Sequence, residues 1–323
     1  MDTLNNRTDY NMIAVTEFIL SGFHNSLNFV ITATFVIFLL LSYVFTVLGN
    51  VLILTLVTLD KHLQSPMYFF LCNLAVLEIC FTNLVIPNMI RGFIPRGKYI
   101  PKAGCLTQFY IFFLIGAADF LILATMSFDR YLAICHPLRY NVIMNRQVCI
   151  RLMVGIAVGA FFYTLVPSIL IMRLPFCSSV LDHFFCDIAP LLNNACGDVT
   201  SVYLLEFTTS TLLLLGTLMV TVVSYIHIIY AVLKINSKDG LEKAFATCSS
   251  HAVVVSLIYG SCIFTYVRPS KVQALDIDKV VAILNAVVVP LLNPYIYTLR
   301  NQKVKAILKE TMNKHRSHFF LIG

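Results

Sequence analysis

Seven apolar stretches, each long enough to cross a bilayer as a helix, constrain this chain more than any other feature. They fall at about 29–57, 66–91, 102–136, 147–171, 200–234, 240–267 and 277–299, and a membrane helix needs roughly 20 mostly apolar residues. Runs such as VLILTLVTL (51–59) and LLLLGTLMVTVV (212–223) do not alternate apolar with polar, as the strands of a membrane barrel do. Composition agrees. Of 323 residues, 59% are hydrophobic and only 12% charged, against about 25% charged in an ordinary soluble domain. That excludes a typical soluble enzyme and a disordered chain. The expected fold is all-α, a seven-transmembrane helix bundle. No internal repeat is visible, and an odd number of spans counts against a transporter built from two duplicated halves.

Basic residues orient the bundle. With the N-terminus outside, fourteen of the 23 Lys and Arg fall on the inner side, six of them between Arg300 and Arg316. The bias follows the positive-inside rule, with Arg91, Arg96, Lys98 and Lys102 as an exception. Once acids are counted, the net charge of +7 belongs to the cytoplasmic face, which suits anionic lipid and acidic partners. Basic residues scattered over short loops, without a groove to read bases, argue against nucleic acid. The chain thus divides into an extracellular segment 1–28, a membrane domain 29–299 and a cytoplasmic tail 300–323. Arg300 to Lys314 reads as a short amphipathic helix on the lipid surface. Residues 1–27 lack the basic region before a short apolar stretch that a cleavable leader needs. Asn6-Arg7-Thr8 is a glycosylation sequon, with Asn6 as acceptor. Cys105, Cys177, Cys186 and Cys196 share the outer side, where disulfides form, and four cysteines allow three pairings.

Two acids, Glu78 and Asp119, lie within the spans, where carboxylates are costly and usually functional. Like charges that close cannot both ionise cheaply. Either they share a proton in a hydrogen-bonded pair or a cation sits between them. The expectation adopted is a sodium site of Glu78, Asp119 and Asn293 that stabilises the resting state as an allosteric modulator, with no other cofactor required.

A small-molecule pocket in a helix bundle lies between helices and is mostly apolar. Phe112, Phe113, Gly116, Ala117 and Phe120 supply one wall from span three, and Gly116 and Ala117 leave room. Thr209, Ser210 and Leu213 follow from span five, and Tyr259, Cys262, Ile263 and Tyr266 from span six. Ser210, Thr209 or Tyr259 could donate to a hydroxyl, ketone or aldehyde. No span-three acid faces this depth, so a weakly polar ligand suits the wall better than a charged amine. Glu206 has no assigned role and reaches water on this reading.

Motifs recur in order along the chain: PMYFFLCNL (66–74), MSFDRYLAICHPLRY (126–140), LPFC (174–177), HFFCD (183–187), SYIHIIYAVLKI (224–235), KAFATCSSH (243–251) and PLLNPYIYTLRN (290–301). Together, from Gly49-Asn50 to the tail, they resemble a vertebrate olfactory receptor of the tetrapod type, class II, most like family 6. These are rhodopsin-like G-protein-coupled receptors of the plasma membrane. The resemblance implies a rhodopsin-like bundle that binds an odorant and activates a stimulatory olfactory-type heterotrimeric G protein to raise cyclic AMP. It implies that Asp129 holds Arg130 at rest, with Tyr131 completing the motif, and that activation frees Arg130 for the G protein. It groups Asn293, Pro294 and Tyr297 into a switch with Arg130 and Tyr225. It pairs Cys105 with Cys186 and Cys177 with Cys196, folding the long outer loop over the pocket. The family usually carries Asp in span two and Glu in span three, so Glu78 and Asp119 look exchanged. Ser127-Phe128 replaces the usual Ala-Tyr, and Ala157 stands near the usual span-four Trp.

An enzyme is not expected. The chain has no HExxH or GxSxG, and His251 after Ser249-Ser250 has no second ligand or base beside it. A non-olfactory rhodopsin-like receptor for a lipid is the remaining alternative.

Overall fold

A computed structural model describes residues 15–22, 28–94, 98–234, 252–263, 275–299 and 304–305. Asn6, Tyr266 and most of the tail lie outside them. Five long helices follow the apolar runs: α1 (Phe29–Leu59), α2 (Pro66–Arg91), α3 (Lys102–Cys135), α5 (Arg146–Met172) and α7 (Thr200–Leu233). A short α4 (Pro137–Ile143) follows α3, and α6 (Ile188–Asn193) lies in the outer loop. Of the sixth span, α8 (Ala252–Ile263) is described. The seventh is α9 (Leu275–Ile283), a π-helical turn (Leu284–Val288) and α10 (Val289–Leu299). Among the described residues, six helical runs are long and apolar enough to cross a membrane.

Local signals set several boundaries. Pro66 and Pro137 open α2 and α4, positions where a missing N–H costs nothing. Asn145 caps α5, its side chain accepting from Val148 N at 3.0 Å, as short polar side chains do at helix starts. The π turn ends just before Pro290. Proline cannot supply the hydrogen bond to the carbonyl four residues back and its ring crowds that carbonyl, and the wider π turn accommodates both. Many interior hydroxyls are satisfied within their own helices: Thr125 bonds Leu121 O at 2.8 Å and Thr221 bonds Thr217 O at 3.0 Å. A membrane offers no water for them.

α3 is the axis of the bundle and packs against α2, α5 and α7, while α1 lies against α2 and α10. The inner core joins Ile53, Leu71, Ile122, Leu123 and Ile156 from four helices. Leu212 and Met219 of α7 are 68% and 69% exposed, as lipid-facing residues are. Gly49 permits the closest approach: a Cβ there would stand 2.9 Å from Cγ of Pro294.

The outer end carries a small sheet that the all-helical expectation did not include. Strand β1 (Glu17–Leu20) pairs antiparallel with β2 (Tyr99–Pro101) and parallel with β3 (Val180–Leu181). The segment 1–28 is therefore more than a polar tail. Phe18 and Leu20, two residues apart, point to one face of the strand and are 0% and 4% exposed.

Candidate functional site

The inner wall is only partly as the sequence suggested. Phe113, Gly116 and Phe120 share one face of α3 at helical spacing. A Cβ built on Gly116 would meet nothing within 4 Å, so the helix opens onto space there. Phe120 stands edge-on to Tyr259 of α8, with centroids 5.1 Å apart. Tyr259 Oη is buried without a hydrogen-bond partner among the described residues. Phe112 turns elsewhere, packing on Phe81 of α2 at 5.1 Å and on Phe185 of the outer loop at 4.9 Å. Ala117 does not open room: it is 4% exposed within the inner core, because its face of α3 meets the neighbouring helices.

On α7, Thr209 spends its hydroxyl proton on Leu205 O and Glu206 O, at 2.9 and 3.1 Å. Its oxygen is left to accept, whereas the sequence reading had it donate. Ser210 and Leu213 are half-buried beside it, Cys262 is buried and Ile263 half-buried. Glu206, expected to reach water, is only 9% exposed, because it lies on the face of α7 turned into the bundle.

A lid closes the outer end. Disulfides join Cys105 to Cys186, with Cα atoms 5.5 Å apart, and Cys177 to Cys196, at 5.3 Å. The first ties the loop to α3, and Cys186 N approaches Gln108 Oε1 at 3.5 Å. Phe185 is 1% exposed and inserts between Phe112 and His183. Lys279 of α9, also buried, donates to Asp182 Oδ1 at 2.7 Å and to Gly22 O at 3.2 Å. Ser21 adds a bond to the same carboxylate at 3.0 Å. Partial burial works to raise the Asp182 pKa, but Lys279 and Ser21 together hold it below its usual value. His183 is held below the usual histidine range, mainly by burial, with Asp187 opposing.

Beneath the wall runs a buried polar chain. Glu78 accepts from Asn50 Nδ2 at 3.0 Å and from Asn293 Nδ2 at 2.5 Å, so α1, α2 and α10 meet on one carboxylate. Asp119 is close enough to feel the Glu78 charge, and its Oδ1 is buried without a hydrogen-bond partner among the described residues. Tyr297 is 4% exposed, lies within electrostatic reach of Glu78, Tyr225, Arg130 and Asp119, and has an unbonded Oη. Pro294 lies within α10 between Asn293 and Tyr297, where it removes one backbone donor.

At the cytoplasmic end the Arg130 charge acts on Asp129, and the carboxylate has a second partner. Asp129 is 1% exposed and accepts from Tyr140 Oη at 2.8 Å. Arg130 directs Nη2 at Met67 Sδ, and its buried Nε has no hydrogen-bond partner among the described residues. Adjacent residues on a helix point about 100° apart, so a partner from α4 reaches Asp129 more directly than Arg130 does. Burial first, and then the Asp129 charge, push the Tyr140 hydroxyl above its usual range, which keeps it a donor. Tyr131 contacts His136 Nε2 at 3.0 Å.

Sequence reasoning missed three of these residues. Tyr140 ends the motif 126–140, and Pro137 announced the short helix that carries it. Asn50 stood beside Gly49 as a polar residue in an apolar run. Lys279 looked like one more outer charge.

The sequence matches the family described as olfactory receptor over residues 39–315. It is 47% identical over 301 residues to olfactory receptor 6S1 of Homo sapiens, covering 93% of this chain and 90% of that protein. It is 46% identical over 308 residues to olfactory receptor 6E1 of Mus musculus, covering 94% and 97%. Olfactory receptor 6J1 of Homo sapiens is 44% identical over 307 residues, covering 95% and 88%.

Proposed function

The chain belongs to the olfactory receptor family, G-protein-coupled receptors rather than enzymes, and from that premise we propose that it binds a small volatile, mostly apolar odorant between α3, α7 and α8 and activates a stimulatory olfactory-type heterotrimeric G protein, raising cyclic AMP. The observation that carries the reading is the open space at Gly116, facing aromatic and hydroxyl side chains beneath a disulfide-tied lid. A ligand held there touches α3, whose cytoplasmic end carries Asp129 and Arg130. Binding drives the switch only if the odorant prefers the active arrangement of these helices.

With six described membrane-length helices, this family member is a multi-pass plasma-membrane protein. An extracellular N-terminus is part of the proposal, supported by the pairing of β1 with the disulfide-bearing outer loop. So is a sodium ion held by Glu78, Asp119 and Asn293: the unbonded Asp119 Oδ1 and the nearby Glu78 carboxylate suit a small hard cation. When bound, it would offset one of the two negative charges and hold α2, α3 and α10 together. Anionic lipid is the proposed partner of the basic tail, which lies largely outside the described residues.

The test is a cyclic-AMP reporter in cells displaying the full chain, screened with a broad odorant panel. A ligand response that Arg130→Ala abolishes at equal surface level supports the reading. A response intact in Arg130→Ala overturns the coupling assignment.

A further inference from the structure

The inward stripe of α7 consists of buried Glu206, Leu214, Thr217, Thr221, Ser224 and Ile228, tied to α3 where Ser127 Oγ meets Thr221 Oγ1 at 3.4 Å. Glu206 is its outermost member and its only charged one, about 9 Å in from Thr200 at 1.5 Å per residue. A carboxylate this buried is costly unless something pairs with it. Among the described residues, no Lys or Arg forms an ion pair with Glu206. Its described neighbours are hydroxyls, which can donate one proton each and still accept. Ser210, one turn further in, lies against the carboxyl. Tyr163 of α5 faces Glu206, Thr209 and Ser210, yet its buried Oη makes no hydrogen bond close enough to satisfy it. The charge of Asp187, from the lid, reaches the same place.

We propose that Glu206 is the ligand-reading carboxylate of the pocket, and that this receptor selects small apolar molecules bearing one protonated amine; the assignment rests on the odorant-receptor reading above. An ammonium group brings three donors and no acceptor, matching the Glu206 carboxylate and the oxygens of Ser210 and Tyr163. A neutral alcohol brings one donor and no charge to offset the Glu206 carboxylate, and an aldehyde brings no donor. The apolar body then lies toward the open wall at Gly116, one to two turns deeper. The absence of a span-three acid, which pointed to weakly polar ligands, is offset by an acid on span five.

The experiment uses the full chain in cells, with hexylamine and benzylamine tested beside the alcohol, aldehyde and carboxylic acid of each skeleton. Surface level is read by extracellular antibody and activity by cyclic AMP. An amine is expected to be the strongest agonist of its skeleton. Glu206→Gln, which keeps the volume, is expected to raise the amine EC50 by about tenfold or more while shifting neutral agonists by less than about threefold. Glu206→Lys is expected to turn the preference toward the matching acid, a gain of response that a folding defect cannot mimic. An amine EC50 unchanged in Glu206→Gln overturns the assignment and leaves the odorant-receptor reading standing. So does a panel in which only neutral compounds act, or one in which every agonist shifts equally. Silence from every compound at a receptor that reaches the surface overturns both.

Discussion

Tyr140 donates its hydroxyl to Asp129 Oδ1 at 2.8 Å, so the carboxylate that feels the Arg130 charge is also held from the short helix α4. Tyr140→Phe removes the donor and leaves a buried carboxylate short of a partner, a loss of about 1–3 kcal/mol. Arg130 is then the nearest cation available to Asp129. The expected outcome is a lower melting temperature in detergent and a weaker agonist-evoked cyclic-AMP response, because Arg130 is drawn back to Asp129. Adding Asp129→Asn should restore part of the response. A response unchanged in Tyr140→Phe would show that Arg130 does not depend on this bond.

Glu78 carries the second relationship, between α1, α2 and α10. Asn293→Ala deletes the 2.5 Å bond to Oε1, and Asn50→Ala the 3.0 Å bond to Oε2. Each is expected to cost about 1–3 kcal/mol of stability. If sodium binds here, replacing potassium by sodium raises the melting temperature of the native chain. The increment should disappear in Asp119→Asn, whose unbonded Oδ1 is the atom available to an ion. Equal increments in both proteins would rule out the site.

Gly49 and Pro294 test the packing of α1 on the seventh span. An added Cβ would stand 2.9 Å from one ring carbon and 3.0 Å from another, and a proline ring within a helix cannot turn aside. Gly49→Ala should therefore destabilise by about 1–3 kcal/mol, although alanine is the better helix former. A rise in melting temperature would mean that α1 can move away.

The opposite sign is expected at Gly116. Nothing lies within 4 Å of its missing Cβ, so Gly116→Ala gains the helix-propensity difference of about 0.5–1 kcal/mol. Gly116→Leu fills the space with side chain and should abolish the agonist response while leaving surface expression intact. A Leu variant that still responds would place the ligand elsewhere.

The spans were legible because bilayer thickness writes their length into the sequence. The expectation of 66–91 coincides with α2, and 200–234 differs from α7 by one residue. Their partners were less legible. Two- to four-residue strands from positions 17, 99 and 180 pair only because the disulfides and the bundle bring them together, and no local periodicity marks so short a strand. The depth of Glu206 and Lys279 had the same cause: composition shows that a charge exists, and only packing shows which face carries it. Glu78 and Asp119 were readable as a pair because a carboxylate within a span admits few explanations. Asn50 and Tyr140 were not, since neither residue type is unusual where it stands.

The lid should loosen in acid through two of its own residues. His183 is buried and held below the usual histidine value of 6.5, so the folded lid favours its neutral form. Such a group stabilises fully above its unfolded pKa, and that contribution is lost as pH falls below 6.5 toward the folded value. Asp182 is held below 3.8, with Lys279 and Ser21 opposing the effect of burial, so its contribution persists above that value and is lost only as pH falls further, through the lowered one. Acidification therefore removes the histidine contribution first and the Asp182–Lys279 contact second. Hydrogen exchange of residues 180–187, corrected for intrinsic rates, should speed up as pH falls below 6.5 and go on rising until the lowered folded value is passed. His183→Gln, which cannot titrate, should flatten that first rise, and Lys279→Gln should speed exchange at every pH by removing the 2.7 Å contact to Asp182. Exchange that slows on acidification, or that responds identically in His183→Gln, would show that the lid is held by its disulfides and strands alone.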